Sequence, residues 1–273
     1  MRAWAALFLL ALTACGRNGA GKPESLYTGR AFVTGQDERF RAIGFAQSLP
    51  DALAKVSGDP ALLSDPRVAT LTVKAASFVE SYSYRDYMED LPIGDEQGTR
   101  DRPYFLTVTF KQQAIDEILR TLGRSPWTAN RRPVAAFVGV DKFGRDFVLD
   151  SDGATDMDER NSLTDAAWIA GLPIHLPLVA DIERLHLNVA GLKAGGTAGL
   201  AAGDEVLVGL LNWDKGSISW HADWRLNWRG ATHHWTIRAA TYDEAFRNAM
   251  GGAAQIMSGH GEPSDVIEPT KQG

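Results

Sequence analysis

His221, Asp223, His233 and His234 are residue types that ligate transition metals. His221 and Asp223 stand two positions apart, so in a strand both leave the same face. Pairing the two flanking strands by their apolar faces sets Trp228 near His233, Leu226 near Trp235 and His234 opposite Asn227. His221 and His234 then lie about 20 Å apart, too far for one ion, and His233 points the other way. No metal site is predicted. The reading taken is a solvated binding face made by His221, Asp223, Arg225 and Asn227. A second group, Asp150, Asp152, Asp156, Asp158 and Glu159, forms an acidic loop without the ligand spacing of an EF-hand. Glycoside cleavage needs two carboxyls about 5 to 9.5 Å apart across a cleft. Asp156, Asp158 and Glu159 therefore carry the alternative reading, a cell-wall or glycan hydrolase. Gly195-Gly196-Thr197-Ala198-Gly199 lacks the Lys-Ser or Lys-Thr of a phosphate loop. There is no Gly-x-Ser-x-Gly or Ser-x-x-Lys motif for a nucleophilic serine, and His175 reads as a core histidine on a buried strand. No catalytic residues and no cofactor are predicted.

The one thiol has a different chemistry. Arg2 precedes an apolar run from Ala3 to Leu12, and Leu12-Thr13-Ala14-Cys15 follows. A charged start, an apolar stretch and small residues before a cut site are the layout of an export signal. The run is too short to span a bilayer, which takes about 20 apolar residues. Leu-Thr-Ala-Cys resembles the lipobox of bacterial lipoproteins, which implies diacylation of Cys15, palmitate included, and a membrane anchor through that lipid. Gly16 in place of Asp implies sorting to the periplasmic face of the outer membrane. Cys15 is the only cysteine, so disulfides, thiol catalysis and cysteine-based zinc sites are excluded.

Around these residues the chain is ordinary globular material: 44% hydrophobic, 23% charged, formal net charge −6. An acidic surface without clusters argues against nucleic acid and against electrostatic docking on anionic lipid. The roughly 260 residues after Ala14 suffice for one large or two modest domains. The expected layout is a signal peptide (1–14), a lipidated tether (15–25), an α/β domain (26–123), a junction (124–132), a second α/β domain (133–257) and a disordered tail (258–273). The fold class expected is thus α/β (α+β), two small mixed domains, the second a buried sheet ending in a Trp-rich antiparallel meander and a C-terminal helix.

In the first domain, Tyr27 to Val33 opens as a strand. Apolar residues at helical spacing from Phe40 to Val56 predict a helix with a kink or break at Pro50. Gly58 and Pro60 stop it, and Asp65-Pro66 restarts another. Strands over Ser81–Tyr87 and Tyr104–Phe110 and a helix over Gln112–Leu122 complete the unit. Trp127 and Arg131 in the junction are further candidate binding residues. In the second domain Val134–Val140, Ile174–Val179 and Val206–Leu211 read as buried strands, with a helix capped at Ser162. From Ile218 the chain alternates cleanly. Trp220, Trp224, Trp228 and, after a turn at Gly230, Trp235 share one face. That face is read as core under a helix from Tyr242 to Met257, the sharper possibility being an exposed aromatic platform.

Taken in order, three motifs look familiar: Lys55-Val56-Ser57-Gly58-Asp59; Trp127 ahead of Asn130-Arg131-Arg132-Pro133; and Ala202-Gly203-Asp204-Glu205-Val206-Leu207-Val208-Gly209 before a Trp-rich hairpin. This set resembles a proteobacterial envelope family, domain of unknown function 2066. The resemblance implies export and a two-part α/β architecture and carries no activity or catalytic residues. By topology alone, the first half looks like the periplasmic modules of outer-membrane assembly factors. The second is similar to the N-terminal domain of the Tol translocation protein and to lipoprotein activators of cell-wall synthases. The expectation is a non-enzymatic binding or envelope-assembly factor with an envelope protein as partner and no nucleic acid.

Overall fold

A computed structural model describes residues 26–89, 103–129, 131–195 and 205–266. Cys15, the export signal, the whole tether, Asn130 and Gly196–Gly199 lie outside them. The protein is α+β, with two sheets and two principal cores.

The first half runs β1 (Thr28–Val33), α1 (Glu38–Ser57), a 3₁₀ turn (Pro60–Ser64), α2 (Pro66–Thr72), α3 (Ala75–Phe78), β2 (Val79–Asp86), β3 (Tyr104–Phe110) and α4 (Gln112–Thr121). The sheet order is β1-β3-β2 with both pairings antiparallel. Asp37 starts α1 by accepting from the Phe40 N–H (3.0 Å), and Gly58, at φ 75°, ends it. The break expected at Pro50 does not occur: α1 continues through it. Leu49, Ala52, Leu53 and Val56 are fully buried there, and that packing outweighs the one backbone bond that proline removes. Gly29 on β1 lets α1 approach closely, because a Cβ there would collide with the Ser48 carbonyl.

The second half contains β4 (Val134–Lys142), β5 (Arg145–Val148), α5 (Met157–Ala170), β6 (Ile174–His175), α6 (Val179–Arg184), α7 (Val189–Lys193), β7 (Val206–Asp214), β8 (Ser219–Trp228), β9 (Ala231–Ala239) and α8 (Tyr242–Ser258). Strands run β5-β4-β7-β8-β9, with β6 paired to β4. β4 and β7 are parallel, and β7-β8-β9 form the antiparallel meander. Helices α5 and α8 cover one face. Trp224, Trp235 and Phe246 are fully buried between sheet and helix, so the tryptophan face is core and not a platform. Gly209 belongs to this packing, since a Cβ there would run into the Trp224 ring. On the other face α6 and α7 cover only β4, β5 and β7, over Phe137, Val148, Val206 and Val208.

Four local expectations need correction. β6 has two residues, not six, and His175 is exposed; Pro177, which cannot donate to a ladder, follows closely. Helix α5 starts at Met157, five residues before Ser162. The β8–β9 turn has only two residues, Arg229 (φ 50°) and Gly230 (φ 77°), the left-handed pair of a type I′ hairpin. The register is therefore Leu226↔His233, Trp224↔Trp235 and Arg225↔His234, two residues away from the expected one. Finally, residues 259–266 are not a loose tail. Val266 lies parallel to Ile237, giving its N–H to the Thr236 carbonyl (3.0 Å) and accepting from the Arg238 N–H (2.7 Å). β9 is the sheet edge, and its unpaired backbone groups are what the returning chain satisfies.

Candidate functional site

The uncovered part of the second sheet is a groove of about 660 Å³. Alternation along β8 projects His221, Asp223, Arg225 and Asn227 from this face, and β9 adds His234, Thr236 and Arg238 beside them. Val189 and Lys193 of α7 form one wall and Val266 the other, with Asp141, Leu210 and Asn212 in the floor. The structure thus brings His221, Asp223 and Arg225 together, while Asn227 sits farther along the strand, outside the groove, accepting from the Thr232 hydroxyl (2.9 Å). Trp127 and Arg131 lie elsewhere, between the two halves.

Part of the groove is internally paired. His234 Nε2 lies 2.9 Å from Asp223 Oδ2, and Arg225 Nε is 3.9 Å from Asp223 Oδ1. Arg225 also donates to the Leu192 carbonyl at the end of α7, so it ties that helix to the sheet. Thr236 donates its hydroxyl to Asp265 (3.0 Å), and two polar atoms remain unpaired. His221 Nε2 and Arg238 Nε are each buried as atoms without a hydrogen-bond partner. The nearest acid to His221 Nε2 is Asp214 Oδ2, 3.6 Å away. The Ser217 hydroxyl, followed by the Gly216 N–H, holds the Asp214 carboxyl below its ordinary value. A buried N–H donor left without an acceptor costs about 1–3 kcal/mol, so an acceptor brought by a ligand would relieve a standing penalty. Arg238 was not singled out from the sequence, and His234 only as a metal-ligating residue type, not as part of the binding face. Their place in the groove depends on the hairpin register, and the two-residue turn at Arg229-Gly230 was the signal for it.

Among the described residues no group of three or more His, Cys, Asp or Glu could hold a metal ion. His221 faces Arg238 across the ladder and His234 faces Arg225, while His233 turns to the helix side and meets Glu262 (2.7 Å).

The acidic loop is built of separate ion pairs. Asp150 binds Arg160 (2.7 Å), Asp156 binds Arg145, and buried Glu159 binds Lys142 (2.5 Å). Asp152 accepts from the Val179 N–H (2.9 Å), at the start of α6. Asp158 is exposed on the first turn of α5. None of the five lines the groove. Of the three carboxyls that carry the hydrolase reading, Asp156 and Glu159 are held by their own cations, which makes them poor general acids or nucleophiles.

Arg131 spends all five of its guanidinium donors inside the chain: on the carbonyls of Trp127, Ala170, Gly171, Lys55 and Val56. Its guanidinium also lies over the Trp127 ring, 4.1 Å from the centroid. Burial pushes its pKa down to about 10, still cationic at neutral pH. Four of these acceptors are the last carbonyls of α1 and α5, the negative ends of two helices, and the fifth is in the junction. Close by, Trp168 of α5 is held between Lys55 (3.3 Å to the ring centroid) and Arg30 (4.1 Å).

Residues 20–128 match the model of a family described as Domain of unknown function (DUF8605). This overturns the resemblance to domain of unknown function 2066. The first of the three motifs that suggested it, Lys55 to Asp59, is a helix stop and restart. Gly58 caps α1, Ser57 Oγ accepts from the Asp59 N–H (3.1 Å), and Asp59 accepts from the Ala61 N–H to open the 3₁₀ turn. Such a segment recurs wherever two helices meet at an angle, so it carries little family information. The match covers less than half of the 273-residue chain, and the groove lies outside it. No curated protein and no solved structure was matched.

Proposed function

We propose that the protein is a non-enzymatic binding or envelope-assembly factor, held at the periplasmic face of the outer membrane by acyl chains on Cys15, and that the β8–β9 groove takes an extended peptide segment of an envelope partner. The single observation that supports the groove is its pair of buried, unpartnered polar atoms, His221 Nε2 and Arg238 Nε. Peptide backbones supply the acceptors those atoms lack. The support for the anchor is the Leu12–Cys15 motif behind its apolar run. No helix among the described residues is long and apolar enough to cross a membrane, so acylation at Cys15 supplies the attachment in this reading.

The test is crosslinked capture from intact cells, read by mass spectrometry, with wild type, Cys15→Ala and the double variant His221→Ala/Arg238→Ala. One stoichiometric envelope partner should be captured by wild type and lost in both variants. Capture unchanged by the double variant removes the groove from the interface, and an unacylated wild-type chain removes the anchor.

A further inference from the structure

The two unpartnered atoms of the groove, His221 Nε2 and Arg238 Nε, belong to one line of polar side chains. Asp141 on β4 is the register partner of Asn212 on β7; Asn212 is the partner of His221 on β8; and His221 is the partner of Arg238 on β9. The four therefore form one row running straight across four strands, on one face of the sheet, and all four line the groove. In the next row along, Leu210, Asp223 and Thr236, Asp223 pairs with His234 of the row after it and Thr236 donates to Asp265, and that following row is also tied through Arg225 to the Leu192 carbonyl. The Asp141 to Arg238 row has no such closure. Among the described residues, its side chains make no hydrogen bond to one another or to a neighbour, and its contact with a charged group is the 3.6 Å approach of His221 to Asp214.

The row also has a direction. It carries a carboxylate at the β4 end, an amide next to it, and an imidazole and a guanidinium at the β8–β9 end. Three strand spacings of about 4.8 Å separate its ends by about 14 Å. An extended peptide advances at most about 3.3 to 3.6 Å per residue, so roughly four residues cover that span. A guanidinium with a free Nε–H takes a carboxylate in the two-pronged manner that a carboxamide cannot reproduce.

Resting on the reading of the groove as a peptide-binding site, we propose that this row selects a dipolar ligand. Its carboxylate sits on Arg238 and His221, its ammonium group on Asp141 about 14 Å away, and a central amide on Asn212; in a partner's segment an acidic and a basic side chain at that spacing supply the two charges, and a tetrapeptide with both ends free is the simplest probe of the class. Asp223, Arg225 and His234 take no part in the charge recognition, because they already neutralise one another.

The experiment is calorimetric titration of the full chain with tetra-alanine in three forms: both ends free, N-acetylated, and C-amidated. The free peptide should bind saturably, and each cap should weaken it about tenfold or more, the scale of a hydrogen bond to a charged group. In Arg238→Gln the preference for acid over amide should vanish while the preference for amine over acetyl survives; Asp141→Asn should show the reverse. The two variants sit at opposite ends of the row, so misfolding of one leaves the other to decide. Absence of saturable binding by the free peptide, equal binding of all three forms, or loss of both preferences together in a folded variant would overturn the proposal. If capture in cells still depends on His221 and Arg238 while the three peptides bind alike, the dipolar selection falls and the binding groove stands.

Discussion

Asp51 illustrates how a single side chain in this protein is set against its surroundings. It lies on α1 beside a cavity of about 80 Å³ between α1, α5 and α8, which Lys55 and Arg247 also line. Burial raises its pKa from 3.8, and the nearby Arg247 and Lys55 charges only partly offset this. A carboxyl whose folded-state pKa is raised holds its proton longer in the native chain than in the unfolded one. Stability is therefore lost as pH climbs from 3.8 through the raised value, and the full cost is present above it. Asp51→Asn should accordingly raise the thermal midpoint at pH 7, with the gain shrinking as pH falls toward 3.8. Differential scanning at pH 4 and pH 7 checks this; a gain equal at both would mean that the charge is not the cause. Nothing in the local sequence marked Asp51, because its environment is supplied by α5 and α8, more than a hundred residues away.

At the scale of elements, the β8–β9 hairpin is where sequence and structure agree on pattern and disagree on register. Its alternation made the tryptophan face legible, since period-2 patterning needs no tertiary information. The register depended on one turn, and a two-residue shift keeps every side chain on its face while changing every cross-strand partner. That shift moved His234 from opposite Asn227 to opposite Arg225. Arg229 sits at φ 50° in this turn, a conformation that costs most L-residues about 1 kcal/mol and that asparagine tolerates well. Arg229→Asn should raise stability by about that amount, measured as a shift in the urea midpoint at unchanged slope. A loss of stability would place the Arg229 side chain, which stacks on Trp228 with 5.0 Å to the ring centroid, above the turn in importance.

For the whole molecule, the question is what joins the two cores. Arg131 and the Trp168 sandwich join the C-terminal ends of α1 and α5. Ser258 Oγ adds a bond to the Gly58 carbonyl (3.1 Å), reaching from the last helix to the cap of the first. Arg131→Ala strands helix-end carbonyls in a half-buried seam and should cost about 3 kcal/mol or more, and Arg131→Lys should recover little because an ammonium cannot reach five acceptors in a plane. Calorimetry should show one transition in wild type and a broadened or split one in Arg131→Ala. A single unshifted transition would show that the halves are joined by other contacts. The guanidinium read from the sequence as a partner-binding group is thus already spent, and its role concerns the cohesion of the chain.

What the sequence determined by itself is what short-range physics controls. Helical and strand periods, the Gly58 and Asp65-Pro66 caps, the buried run of β4 and the burial of one face of β8 all follow from side-chain spacing and backbone preference. The solvated face bearing His221, Asp223 and Arg225 was legible for the same reason. Tertiary structure alone decided whether those residues stood beside anything. The groove needs α7 on one side, the returning chain at Val266 on the other, and Asp141, Asn212, His221 and Arg238 in one row, although 97 positions separate the first from the last. Likewise, four of the five carbonyls around Arg131 meet only because two helices from different halves end at the same place. These contacts are set by the packing of distant surfaces, and no local pattern encodes which distant surface will arrive.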